Sequence, residues 1–250
     1  MNASVSLIPD IYNFCDSWCE RCLFTARCRN FQQHEATGPG QSIPTGDLLV
    51  KQLVEALNMT RQYLSRVRQE PEQTTLPAAR QQQLEADALP QHPDLRSHPT
   101  AVLTGHYLRQ TGTWLRQEAT LLEAVGNAQM EAVSLGFRSE AQAMTALNGL
   151  KNAWNMIRWY RTLIPVKTLS ALRGVVEPTA NGSLNDYYLG KTKLVLVSID
   201  QSLLGWHTLL DQYPEKTDDI LDLLVLLQHL RRDLETLFPT ARAFKRPGLD

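Results

Sequence analysis

Outside residues 15–28 the chain has no cysteine. This excludes a disulfide framework, which spreads cysteines along a chain to staple distant loops. Long apolar runs are also missing. The strongest, residues 220–230, contains Asp222, Gln228 and His229 and falls well short of the roughly 20 apolar residues a membrane-spanning helix needs. Residues 1–11 have neither a basic start nor an apolar middle, so no secretory leader is expected and the cytoplasm is the expected compartment. Charge of one sign is absent too. Lys and Arg number 25 against 26 Asp and Glu, a net charge of −1, which removes bulk electrostatics as an argument for nucleic acid and leaves only local patches. There is no Ser/His/Asp triad, no glycine-rich phosphate loop and no HExxH sequence. What remains is 250 residues, 43% apolar and 20% charged, a composition that excludes collagen-like, low-complexity and disordered chains.

The information sits in IYNFCDSWCERCLFTARCRNF, residues 11–31, where Cys15, Cys19, Cys22 and Cys28 fall within fourteen residues. So much sulfur in one short cytosolic segment points to metal ligation. At about 100° per residue, Cys15, Cys19 and Cys22 would share one face of a helix, and Cys28 would point away. The four therefore reach one centre only if the helix breaks after Cys22. Zinc sites usually draw on two short cysteine pairs a dozen or more residues apart. Nearly contiguous ligands leave little chain to wrap one small tetrahedral ion. A [4Fe–4S] cube, with four well-separated iron corners, accepts closely spaced thiolates. The spacing predicts a [4Fe–4S] cluster on Cys15, Cys19, Cys22 and Cys28, with zinc on the same residues as the alternative.

The last three of these cysteines, Cys19-x2-Cys22-x5-Cys28, carry a local resemblance. The triplet looks like the iron–sulfur staple of RecB-type nucleases and is similar to the cluster loop of endonuclease-III-type glycosylases. It covers about ten residues and implies a [4Fe–4S] cluster, with no acidic nuclease motif or helix–hairpin–helix glycine loop to carry a catalytic half. The first three cysteines have the spacing of radical S-adenosylmethionine enzymes. Here Arg21 replaces the usual aromatic residue before the third cysteine, a fourth cysteine follows, and the chain downstream lacks the repeated strand–helix units of such a barrel. Arg21, Arg27 and Arg29 bring positive charge to the segment, serving a thiolate cluster, solvent or a nucleic-acid phosphate. Trp18 and Phe24 read as docking side chains.

The rest of the chain predicts an all-α fold, an antiparallel helical bundle with an N-terminal four-cysteine metal-binding segment. Three regions are expected: the cysteine segment (1–36), a helix plus Pro/Gln-rich linker (37–99) and a four-helix bundle (100–250). A helix is expected from Asp47 to about Gln69, then the linker 71–99 with one short helix over 78–88. Helical periodicity follows over 101–136, 139–173, 186–212 and 216–237. Ser139 and Gln142 fit a capping box, Pro165 should kink or break its helix, and 177–186 reads as a loop. LVLVSI (194–199) is β-branched in part and sits inside a helical period.

Two polar patterns interrupt the apolar stripes. Asp200, His207 and Asp211 share a spacing with Asp222, His229 and Asp233. In a hairpin these would bring two aspartates and a histidine together at each end, a carboxylate–histidine metal site or simply a solvent-facing polar line. Glu118 and Arg161 are positioned to pair across the bundle. Three functional classes follow. The first is an iron–sulfur protein for electron transfer, redox sensing or structural stapling, with a protein redox partner. The second is a zinc-stapled protein- or nucleic-acid-interaction module. The third is an enzyme in the bundle core, for which the Asp/His echo is the hint.

Overall fold

The computed structural model describes residues 6–36, 94–176 and 182–250. Among these there is no strand, and the fold is all-α. The helices are α1 (Ile11–Phe14), α2 (Arg29–Ala36), α3 (Pro99–Gln117), α4 (Leu121–Ser134), α5 (Glu140–Val176), α6 (Gly182–Gln212) and α7 (Thr217–Leu237), with single 3-10 turns between several of them. No helix of the described residues is long and apolar enough to cross a membrane. The chain divides into two compact units, Met1–Leu7 with Cys22–His92, and Ile8–Arg21 with Pro93–Asp250. The boundary between Arg21 and Cys22 runs through the cysteine segment. The expected helix 47–69, the short helix 78–88 and most of the linker lie outside the described residues.

In the larger unit, α3 begins with Pro99 in its first turn, where a missing N–H costs nothing. The His98 side chain accepts a hydrogen bond from the Thr100 amide at 3.2 Å. The segment 101–136, expected as one helix, is two. α3 ends at Glu118, whose backbone leaves the helical region (φ −97°, ψ 22°) while its carboxylate pairs with Lys216 at 2.6 Å. α4 closes on Gly136, in the left-handed region at φ 71°. Ser139 and Gln142 then form the expected capping box, side chain to amide in both directions at 3.3 and 3.1 Å.

Pro165 was expected to kink or break its helix; it does not break it, and α5 runs through to Val176. Proline removes one backbone hydrogen bond, but residues on either side bury the same face: Ile164, Thr168, Ala171 and Leu172 are each fully enclosed. α6 starts at Gly182, earlier than the expected loop 177–186 allows. LVLVSI is helical, with Leu194, Val195, Leu196 and Ile199 all at 1% exposure or less. Burial on this scale overrides the β-branched preference. The Ser198 hydroxyl donates to the Leu194 carbonyl at 2.8 Å, so its polar group is satisfied inside the helix.

The core is formed by α3, α5, α6 and α7, with α5 and α6 in the most extensive contact. Its centre is aromatic. Trp206 is wholly buried, donates from Nε1 to the Tyr107 hydroxyl at 3.3 Å, and meets Trp114 edge to face at 4.9 Å. From α7 come Ile220, Leu223, Leu227, Leu230 and Leu234, at a spacing of three and four.

The smaller unit is described over residues 6–7 and 22–36. Its elements are a 3-10 turn, Thr25–Arg27, and α2. The Gln32 amide donates to the Cys28 carbonyl at 3.1 Å and the Gln32 side chain to the Ala26 carbonyl at 2.8 Å. Arg27 Nε donates to the Ser6 carbonyl at 3.0 Å.

Candidate functional site

The cysteine segment is a succession of short turns, not one helix. α1 stops at Cys15, which is extended (φ −90°, ψ 163°), and Ser17 takes a left-handed conformation at φ 59°. The cause is Asp16. Its Oδ1 accepts from the Trp18 amide at 3.1 Å, a side-chain turn that competes with continued helix. Cys19 opens a 3-10 turn ending at Arg21. The expectation that Cys15, Cys19 and Cys22 share a helix face is therefore corrected. With no helix running through Cys22 the expected break after it has nothing to interrupt; the 3-10 turn Thr25–Arg27 leads instead to extended Cys28 (φ −105°, ψ 115°). All four cysteines are thiols; Cys19 is exposed, and Cys15, Cys22 and Cys28 are half-buried.

Within the larger unit, residues 8–21 are held by the side chains around the first two cysteines. Phe14 is buried against Gly190, where any side chain would occupy the position of its ring. It also meets Phe244 at 5.4 Å and Tyr187 at 6.2 Å. The Asp16 carbonyl accepts from Trp159 Nε1 at 3.1 Å, and its carboxylate accepts from the Tyr160 hydroxyl at 2.8 Å. Burial first, and the Asp16 carboxylate second, push the Tyr160 phenol well above its ordinary range. Trp18 stacks on Trp159 with rings 4.9 Å apart and 15° from parallel. Thus Trp18 docks the segment, as expected. Sequence reasoning missed Asp16, Trp159 and Tyr160. The adjacent Trp159 and Tyr160 on a helix next to the core face were the available signal.

Lysines set the electrostatics on this side. Lys191 is 6% exposed, donates to the Asn13 carbonyl, and has its ammonium 4.8 Å from the Tyr187 ring centre. Burial pulls the Lys191 and Lys167 ammonium groups below their ordinary range, Lys191 adds to the effect on Lys167, and a negative charge on Cys15 opposes the shift in both. Of the three arginines singled out from sequence, Arg21 lies 3.9 Å over the Trp18 ring and Arg27 tethers the Ser6 backbone. Arg29 is exposed at the start of α2. In the smaller unit the Phe24 amide donates to Cys22 Sγ at 3.4 Å, and Leu23 is 91% exposed.

As a donor set, four thiols suit an iron–sulfur cluster or zinc. Among the described residues, however, no three His, Cys, Asp or Glu side chains are grouped to hold a metal ion. The Asp/His echo likewise forms no such group. Asp200 is engaged by Arg242 at 2.5 Å and by Arg231 at 3.8 Å, while His207 and His229 are exposed. Among the described residues the expected Glu118–Arg161 pair does not form; the Glu118 carboxylate pairs instead with Lys216, on the turn before α7. No family model matches the chain, and neither a curated protein nor a solved structure is significantly similar to it.

Proposed function

We propose that the chain binds a [4Fe–4S] cluster through Cys15, Cys19, Cys22 and Cys28, for electron transfer, redox sensing or structural stapling. The observation that carries this reading is that all four thiols in the chain lie at the ends of short turns within fourteen residues, each reachable from solvent. Bound there, a [4Fe–4S] cluster supplies one-electron chemistry or a rigid four-point link. The chain's own residues do the rest. Phe14, Asp16 and Trp18 orient the backbone that carries Cys15 and Cys19. Lys167 and Lys191 place positive charge where the thiolate of Cys15 is negative, which favours the more reduced state of a bound cluster.

The antiparallel bundle of α3, α5, α6 and α7 belongs to the same proposal. It is supported by their shared core and by the short Pro214–Lys216 turn between α6 and α7. Thiols outside disulfides suit a reducing compartment, which favours the cytoplasm. The test is anaerobic purification followed by absorption and metal analysis. A brown protein absorbing near about 400 nm, with about four iron and four sulfide per chain, is the expected result. Stoichiometric zinc without sulfide would replace this reading by the zinc-stapled interaction module, and a metal-free protein would end both.

A further inference from the structure

A solvent-open cavity of about 310 Å³ lies between the last turns of α3 and the middle of α5, lined by Arg116, Arg158 and Arg161 together with Trp154, Leu115 and Gly112. Trp154, Arg158 and Arg161 follow at i, i+4 and i+7, so they share one face of α5. Arg116 has an ordinary reason to be there, since a cation in the last turn of α3 meets the negative end of the helix dipole. Arg158 is exposed on the same face, and Arg161 is the half-buried member of the three.

The one acid that sequence pattern offered to Arg161 is Glu118, and Lys216 occupies it at 2.6 Å. Among the described residues, none of the three arginines forms an ion pair with a carboxylate. Arg161 is half-buried, and its Nε is buried with no hydrogen-bond partner. A buried N–H without a partner is unfavourable. Gly112 makes room for it, since a methyl group at that position would stand 2.6 Å from Arg161 Nη1. Glycine in mid-helix is itself unfavourable, so two local costs coincide at one cavity.

We infer that this cavity binds a small dianion, a phosphate ester of a compact apolar group. The planar guanidinium forks of Arg158 and Arg161 suit phosphoryl oxygens, and Trp154 and Leu115 supply an apolar wall. The cavity volume is at the lower end for small-molecule sites, roughly 300 to 1,000 Å³. This inference is independent of the cysteine reading.

The test is calorimetric titration of the full-length protein, as isolated, with phenyl phosphate and with inorganic phosphate. Phenyl phosphate is expected to bind saturably and more tightly than inorganic phosphate. Arg161→Gln should weaken it about tenfold to a hundredfold, the loss of one charge-assisted contact. Gly112→Ala, which keeps every charge and displaces the guanidinium, should weaken it as well, and Arg109→Gln, outside the cavity, should not. Circular dichroism establishes that each variant is folded. If Arg161→Gln is unfolded, Gly112→Ala and Arg158→Gln carry the test. No saturable binding by about 10 mM, equal losses in Arg161→Gln and Arg109→Gln, or equal affinity for the two phosphates would overturn the inference.

Discussion

The two halves of the cysteine segment are built differently. Around Cys15 and Cys19, four neighbours at positions 11, 14, 16 and 18 are buried or hydrogen-bonded into the larger unit. Around Cys22 and Cys28, order comes from backbone turns, the Arg27–Ser6 bond and the start of α2, while Leu23 next to Cys22 is almost wholly exposed. Side-chain burial stabilises a conformation far more than an isolated turn does. The first pair of thiols is thus held by the core, and the second, among the described residues of its unit, by backbone turns and the Arg27–Ser6 bond. Under the proposed cluster reading, the first pair would be the firmly placed one and the second the pair that adjusts.

The largest expected effect tests whether the halves nonetheless act as one ligand set. Cys28→Ser and Cys15→Ser should each lose most of the bound iron and sulfide, measured on anaerobically purified protein. A Cys28→Ser protein with its full content would separate the halves and leave a three-cysteine site.

The next effect concerns stability. Trp18→Ala should cost about 3–5 kcal/mol in denaturant unfolding, as for other buried aromatics, whereas Leu23→Ala should stay within about 0.5 kcal/mol. Equal costs would erase the contrast. Gly190→Ala tests the Phe14 seat from the other side. Overpacking there should cost about 1–3 kcal/mol, with Phe14 displaced in the near-ultraviolet spectrum of its aromatic neighbours.

A smaller effect is spectroscopic. Asp16→Asn removes the carboxylate that helps raise the Tyr160 phenol, so tyrosinate absorption should develop at lower pH than in the parent protein. An unchanged titration would mean that burial alone sets the Tyr160 value.

The smallest is at the acid end. Arg246, with Lys193, holds the Asp250 carboxyl well below its ordinary range. Its folded pKa lies below the unfolded one, so its stabilising contribution is complete above about pH 4 and is lost as pH falls toward the folded value. Asp250→Asn should therefore flatten the acid side of the stability profile and leave its slope near neutrality unchanged, as followed by thermal melts.

Legibility varied with the range of the interaction. α6 and α7 were readable to within a few residues because their apolar positions recur at three and four over many turns. The Ser139–Gln142 cap was readable because both partners lie within one turn. The end of α3 at Glu118 was not, and neither was the partner of its carboxylate, a lysine 98 residues away. At Pro165 the helix continues without a break, which a local rule for proline alone does not foresee. In the cysteine segment the helical spacing of Cys15, Cys19 and Cys22 concealed Asp16, whose turn-forming side chain rules locally. The unpaired Arg161 followed from the same misassigned partner as Glu118.

The clasp on residues 8–21 also has a timing. Ile8 lies against Gly248 with its Cδ1 2.8 Å from the position of an added Cβ, and Phe14 needs Phe244 for its socket. Both partners are translated more than 200 residues after the side chains they hold. On a ribosome adding about 5–20 residues per second, the first two thiols emerge many seconds before the surface that receives them exists. For that interval residues 8–21 lack the surface they pack on in the finished fold, and docking of the segment is a late event in the maturation of the nascent chain.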